Sequence, residues 1–270
     1  MYTIFKIPKR KGGFRQIENP DSELKEKQRQ ILKKLRKEHR TSPFCYAFEP
    51  YRNISCMAMS HVGKKWVANF DVADFFPSIS LEKFSVKVSD ISVNVKDYCF
   101  HDFNDGKGKR LPQGAPTSPF LSNLYLKKFD WQMAWLCYAR KCDYSRYADD
   151  IVISGEDRLN VSTMIASGAN ILSKYFGLTI HPTKTKIVPN SRRQLVCGVV
   201  VNTKLNTQRK LRKNLRAELH QLKLKGGEIP NETRGRVAFH QMIRETKKTT
   251  LSSTDIITQI MVVKALTGEV

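Results

Sequence analysis

Apolar positions along the chain recur at two periods. Tyr2 to Ile7 and Phe14 to Glu18 read as strands around Lys9-Arg10-Lys11-Gly12-Gly13, which predicts a hairpin with a basic, glycine-containing tip. Leu24, Ile31, Leu32 and Leu35 form one helical stripe, with a start near Asp21 or Ser22. Leu121, Tyr125, Phe129, Met133 and Leu136 predict a second helix, and Val161, Met164, Ile165, Leu172 and Phe176 a third that Gly177 stops. All three stripes are assigned to the core. Strands are predicted over Trp66 to Phe70, from Ser145 to Tyr147 past a turn into Ile151-Val152-Ile153, and over Leu195 to Val201. After Lys204 the stripe Leu211, Leu215, Leu219 and Leu222 is surrounded by Arg209, Lys210, Arg212, Lys213 and Arg216, an amphipathic helix with a basic outer face. A boundary is expected near residue 203. No repeat interrupts this interleaving, so the fold class is α+β.

Composition narrows the picture. The chain has 270 residues, 40% hydrophobic and 27% charged, enough for one compact unit or two to three small subdomains. No apolar run approaches the roughly 20 residues a bilayer span needs, so neither a membrane protein nor a disordered chain is expected. Lys and Arg number 47 against 25 Asp and Glu, a net charge of +22 that suits a polyanionic partner, nucleic acid first. The six cysteines form no CxxC pair and no zinc-type spacing with histidine, which predicts reduced thiols. Met1 to Pro8 carries no apolar leader, so a cytoplasmic location is expected.

Two acidic clusters sit where acids need a reason. Ala148-Asp149-Asp150 lies between two apolar strand-like segments, and Trp66-Val67-Ala68-Asn69-Phe70 runs into Asp71, with Asp74 three residues on. An isolated Asp-Asp is ordinarily a surface turn. Three carboxylates at strand ends in a strongly basic chain point instead to a bound divalent cation, because burying them unpaired costs several kcal/mol. An all-oxygen ligand set suits magnesium, and a pair of such ions serves in-line phosphoryl displacement.

Three runs, Phe70 to Ile79, Leu111 to Pro119 and Arg146 to Asp150, resemble the motifs of reverse transcriptases in order and spacing. Within that superfamily the chain is similar to bacterial retron reverse transcriptases over nearly its whole length. It differs at two places: Met57-Ala58-Met59-Ser60-His61 stands where the family usually has Asn-Ala-x-x-His, and Val196-Cys197-Gly198 where it usually has Val-Thr-Gly. The resemblance implies a right-hand polymerase, with an antiparallel palm sheet and flanking helices. Fingers fall at 1–65 and 81–111, palm at 66–80 and 112–203, and thumb at 204–270, with no room after the thumb for a ribonuclease H domain.

The resemblance also assigns roles. Asp71, Asp149 and Asp150, with the Val72 carbonyl, would hold two Mg²⁺ ions, and Lys184 would assist the leaving pyrophosphate, Lys186 competing for that part. Lys9 and Arg15 match the residues that clasp the incoming triphosphate, Gln113 and Gly114 the loop that contacts the nucleotide, and Phe76 the steric gate against a ribose 2′-OH, with Phe75 in the core. His61 and the thumb residues Arg209, Lys210, Arg212, Lys213 and Arg216 are candidates for RNA contact. Implied partners are dNTPs, a structured non-coding RNA with its cDNA, and an effector protein in antiphage defence, with no membrane. Another bacterial defence or mobile-element reverse transcriptase, a catalytically silent RNA-binding scaffold and an RNA-directed RNA polymerase stay open as alternatives.

Overall fold

The computed structural model of the chain describes residues 1–9, 12–88, 92–226, 228–246 and 252–267. Strands β1 (Tyr2–Pro8) and β2 (Phe14–Pro20) pair antiparallel as the expected hairpin, Pro8 opposite Phe14. Arg10 and Lys11 of its tip lie outside the described residues. Helix α1 (Ser22–Glu38) starts where the Asp21 carboxylate accepts the Leu24 N–H, and it buries Leu35 with Ile31 and Leu32 partly covered. A segment over 39–53 leads to the short helix α2 (Ile54–Met59).

The centre is a four-stranded antiparallel sheet in the order β4-β5-β3-β6, made of β3 (Trp66–Asp71), β4 (Cys142–Tyr147), β5 (Asp150–Gly155) and β6 (Lys186–Pro189). Residues directly opposite across strands share a face. Register therefore puts Ala68, Phe70, Tyr144, Arg146, Ile151 and Ile153 on one face, and Val67, Asn69, Asp71, Ser145, Tyr147, Asp150, Val152 and Ser154 on the other. Against the first face pack α6 (Lys127–Ala139) and α7 (Arg158–Ile171), which close the main core around Phe70, Phe129 and Met133. The second face is covered in part by α2 and by the small hairpin β7 (Leu195–Val196) and β8 (Val199–Val200), around Met57, Val67 and Val152. Its other end carries Asp71 and Asp150.

Three expectations are corrected. The second helix is two helices, α5 (Ser118–Tyr125) and α6, because the buried Leu126 between them leaves the helical path at ψ 3° and donates to Ser122 and Leu124 carbonyls. Leu136 on α6 is 39% exposed, not core. The strand over Leu195 to Val201 is a hairpin, since Cys197 (φ 46°) and Gly198 (φ 82°) are both left-handed, as a two-residue turn of this hand requires. The third helix does end at Gly177, φ 59°, after a wider π-type turn over Leu172–Phe176.

Helices α3 (Leu81–Lys87) and α4 (Val93–Cys99) follow the first motif. Beyond the sheet, α8 (Arg209–Lys225) and α9 (Asn231–Glu245) contact each other, and α10 (Ser253–Thr267) packs against α6 and β4. Thr254 Oγ1 donates to Asp143 of β4 at 2.8 Å, and the Tyr144 N–H donates to Ser253 Oγ at 2.7 Å, which anchors the start of α10 to the sheet edge. Among the described residues, no helix is long and apolar enough to cross a membrane.

Candidate active site

Strand pairing brings the acids together. Asp71, last in β3, stands directly opposite Asp150, first in β5, so their side chains share a face at the sheet's open end. Asp149 sits in the two-residue loop that joins β4 to β5, and its carbonyl accepts the Val72 N–H at 3.0 Å. Ala148, the other loop residue, has φ 55°, a conformation an L-residue adopts only when its surroundings impose it.

Arg146 imposes it. Fully buried on the core face of β4, its guanidinium donates through Nη1 to the Ala148 carbonyl at 2.9 Å and through Nε and Nη2 to both oxygens of Asp130 on α6, each at 2.7 Å. Tyr144 OH donates to the same carboxylate at 2.7 Å. Removing one partner of such a buried pair costs about 3–5 kcal/mol, so the Ala148-Asp149 turn is fastened to the core by a fixed fork. The sequence alone does not pair Arg146 with Asp130. The available signal was a charged residue at a core-facing position of an alternating strand.

The charge balance at the turn is negative. Burial, then the Asp71 charge, raises the Asp149 pKa above the usual carboxylate range, while Arg15 on the hairpin, close enough to be felt, opposes the rise. Burial pushes Asp150 up to about 6, with Asp149 and Asp71 adding, although a hydrogen bond from the Cys197 thiol, 3.5 Å from Oδ2, works the other way. Burial raises Cys197 itself well above its ordinary value, so it is a thiol donor here. Lys184 Nζ lies 2.8 Å from Asp71 Oδ1 and is half exposed.

These residues fit a divalent metal by their chemistry. Among the described residues, no three His, Cys, Asp or Glu side chains already surround one point as ligands. Yet the three carboxylates lie close enough to feel one another's charge, a lysine ammonium stands as cation on Asp71, and burial makes the charge of Asp149 and Asp150 costly. Among the described residues no backbone donor bonds the Val72 carbonyl.

The loop of Gln113 and Gly114 is set by the hairpin. Glu18 of β2, nearly fully buried, accepts the Gln113 N–H at 2.8 Å and lies 3.6 Å from Arg110, while its own N–H donates to the Gln113 carbonyl at 2.9 Å. Gly114 is exposed at φ 147°, and a Cβ there would stand 2.7 Å from the Glu18 carbonyl oxygen. Nothing in the sequence flagged Glu18, since its role depends on a partner 95 residues away. Phe75 is in the core and Phe76 beside it, ring centroids 5.3 Å apart, is partly exposed. Lys9 and Arg15 are exposed on the hairpin.

The RNA candidates divide. His61 is buried, and its Nδ1 and Nε2 lie 2.7 and 2.6 Å from the hydroxyls of Ser154 and Ser145. Neither ring nitrogen is left for RNA; the side chain clips the end of α2 to the sheet. On α8, Arg209, Lys210, Lys213 and Arg216 are exposed, whereas Arg212 is turned inward to Asn206 Oδ1 at 2.9 Å and to the Thr207 carbonyl.

Comparison with known proteins places this geometry. Residues 7–212 match the family described as reverse transcriptase (RNA-dependent DNA polymerase). The chain is 34% identical over 241 residues to the retron Mx65 reverse transcriptase of Myxococcus xanthus, covering 82% of this chain and 56% of that relative. It is 31% identical over 258 residues to the retron Ec83 reverse transcriptase of Escherichia coli, covering 88% of this chain and 81% of the relative. It thus spans little more than half of the first relative's length. In fold it is similar to an apo telomerase from Candida tropicalis truncated from its C-terminal domain, with TM-score 0.53 and 15% identity over 77% of this chain and 55% of that one. A telomerase from Candida albicans gives TM-score 0.52 and 15% identity over 83% and 50%.

Proposed function

Because this chain belongs to the reverse transcriptases, and among them to the retron enzymes, we propose that it copies a structured non-coding RNA into DNA. In this reading a primer hydroxyl attacks the α-phosphorus of a dNTP. The bond from that phosphorus to the bridging oxygen breaks, pyrophosphate leaves, and the hydroxyl proton is lost. The observation that carries the reading is the pairing of Asp71 with Asp150 at the end of the sheet, with Asp149 in the adjoining turn close enough to feel the Asp71 charge.

Asp71, Asp149, Asp150 and the Val72 carbonyl would hold two Mg²⁺ ions. Such ions would supply a lowered pKa for the attacking hydroxyl and neutralisation of charge on the departing oxygens. Lys184, already beside Asp71, is placed to give a proton to the leaving group. Arg15 and Lys9 receive the triphosphate, Gln113 and Gly114 contact the nucleotide, and Phe76 rejects a 2′-OH. Exposed Arg209, Lys210, Lys213 and Arg216 meet duplex phosphates, which position without reading sequence. Fingers at 1–65 and 81–111, palm at 66–80 and 112–203 and thumb at 204–270 remain the proposed division; within the last of these, α10 packs against α6 and β4. Priming from an RNA 2′-OH, a branched RNA-linked DNA product, an effector partner, antiphage defence and a cytoplasmic setting complete the proposal.

The test is primer extension on an RNA template with Mg²⁺. Wild type extends with dNTPs in strong preference to rNTPs, and Asp149→Asn loses on the order of 10³-fold or more in rate. Equal use of rNTPs contradicts the gate at Phe76, and full activity in Asp149→Asn contradicts the site.

A further inference from the structure

We propose that Phe48 and Tyr51 form an aromatic platform on which unpaired template bases stack beside the catalytic turn. The proposal rests on the polymerase reading and adds where the single strand is held.

The segment between α1 and α2 is tightly fastened. Arg52 Nη1 donates to the carbonyls of Ser42, Pro43 and Cys45 at 2.9, 3.2 and 2.7 Å. Asn53 Oδ1 caps α2 by accepting the Ser55 and Cys56 N–H groups. Arg36 Nη2 donates to the Phe48 carbonyl at 2.7 Å, and Glu49 lies within reach of Arg36 and Asn123. Phe44 to Ala47 are buried.

Against that background Phe48 and Tyr51 are anomalous. Both have left-handed backbones, φ 62° and 61°, which bulky side chains rarely adopt. Both turn their rings outward, 40% and 102% exposed. Burial would favour the opposite arrangement, rings inside and glycine at the left-handed positions. Backbone strain maintained by surrounding bonds, on residues displayed to solvent, points to a ligand.

Position and charge identify its class. The Phe48 ring is 6.5 Å from the Tyr147 ring, and Tyr147 immediately precedes the Ala148-Asp149 turn. The adjoining end of α1 and the segment supply Arg36, Lys37, Arg40 and Arg52, against Glu38 and Glu49, which pair with Lys34 and Arg36. Tyr51 is flanked in sequence by Pro50 and Arg52 rather than by aliphatic residues. Separate aromatic faces in a basic setting suit single-stranded nucleic acid, since every base offers a π-face.

The test uses the full chain and an RNA template annealed to a DNA primer, either blunt or with a short 5′ template overhang carrying 2-aminopurine. Binding is followed by anisotropy and stacking by fluorescence quenching, with no dNTP present. Tyr51→Ala is expected to weaken the overhung substrate about 5- to 100-fold and relieve the quenching, with blunt duplex unchanged. Tyr51→Trp retains both. Tyr51→Gly, which suits the left-handed backbone, loses overhang binding as Ala does while its melting temperature holds or rises. Wild-type quenching in Tyr51→Ala, equal losses on both substrates, or a lowered melting temperature in Tyr51→Gly overturns the platform. A wild type that quenches the overhang yet never extends the primer overturns the polymerase reading and leaves the platform standing.

Discussion

His61 and Arg146 sit on opposite faces of the same sheet, and each is buried with its nitrogens engaged. Burial, opposed by Asp143 and helped by Lys64, lowers His61 to about 4. The unfolded chain takes up a proton near the ordinary 6.5, so the folded state's advantage is full above 6.5 and is lost as pH falls through 4. Denaturant unfolding of wild type minus His61→Gln, taken from pH 7 to 4, should decline by about 3 kcal/mol over that window. Asp150, raised by burial, pulls the other way in both proteins and cancels in the difference. Parallel curves would show that His61 is not held neutral by burial. Asp71, Asp149 and Asp150 were legible in sequence because acids embedded in apolar runs demand a partner. Arg146 was not, because its partner Asp130 lies on a helix and only packing reveals the pair.

Elements followed the hydrophobic period wherever local chemistry agreed with it. The β1–β2 hairpin, the start of α1 at Asp21 and the stop at Gly177 all carry the residues their geometry requires. The break at Leu126 carries no glycine, proline or asparagine at the deviating residue, so tertiary contacts decide it, while the turn at Cys197 has Gly198 as its one local signal. The loop of Gln113 and Gly114 was readable as a nucleotide contact only through family resemblance, and its attachment to β2 through Glu18 was not readable at all. That attachment makes a sharp prediction. Gly114→Ala places a methyl 2.7 Å from a backbone oxygen at φ 147°, which should destabilise the chain by about 1–3 kcal/mol and raise the KM for dNTP. Urea midpoints and steady-state extension check it; an unchanged midpoint with an unchanged KM would mean that the loop moves freely from β2.

At the scale of the molecule, a sheet covered by helices on one face and only in part on the other leaves one end for three carboxylates in a chain of net charge +22. The fold class was visible beforehand, while which basic side chains stand free at the surface was not, as Arg212 and His61 show by turning inward. The account's central claim is that the acids share divalent ions. Titration of Mn²⁺ into the chain bound to primer and RNA template, counted by electron paramagnetic resonance, tests it most directly. A pair of bound ions per chain in wild type, falling in Asp149→Asn and in Asp71→Asn, is the predicted result; uptake that is absent, or identical in all three proteins, would contradict it.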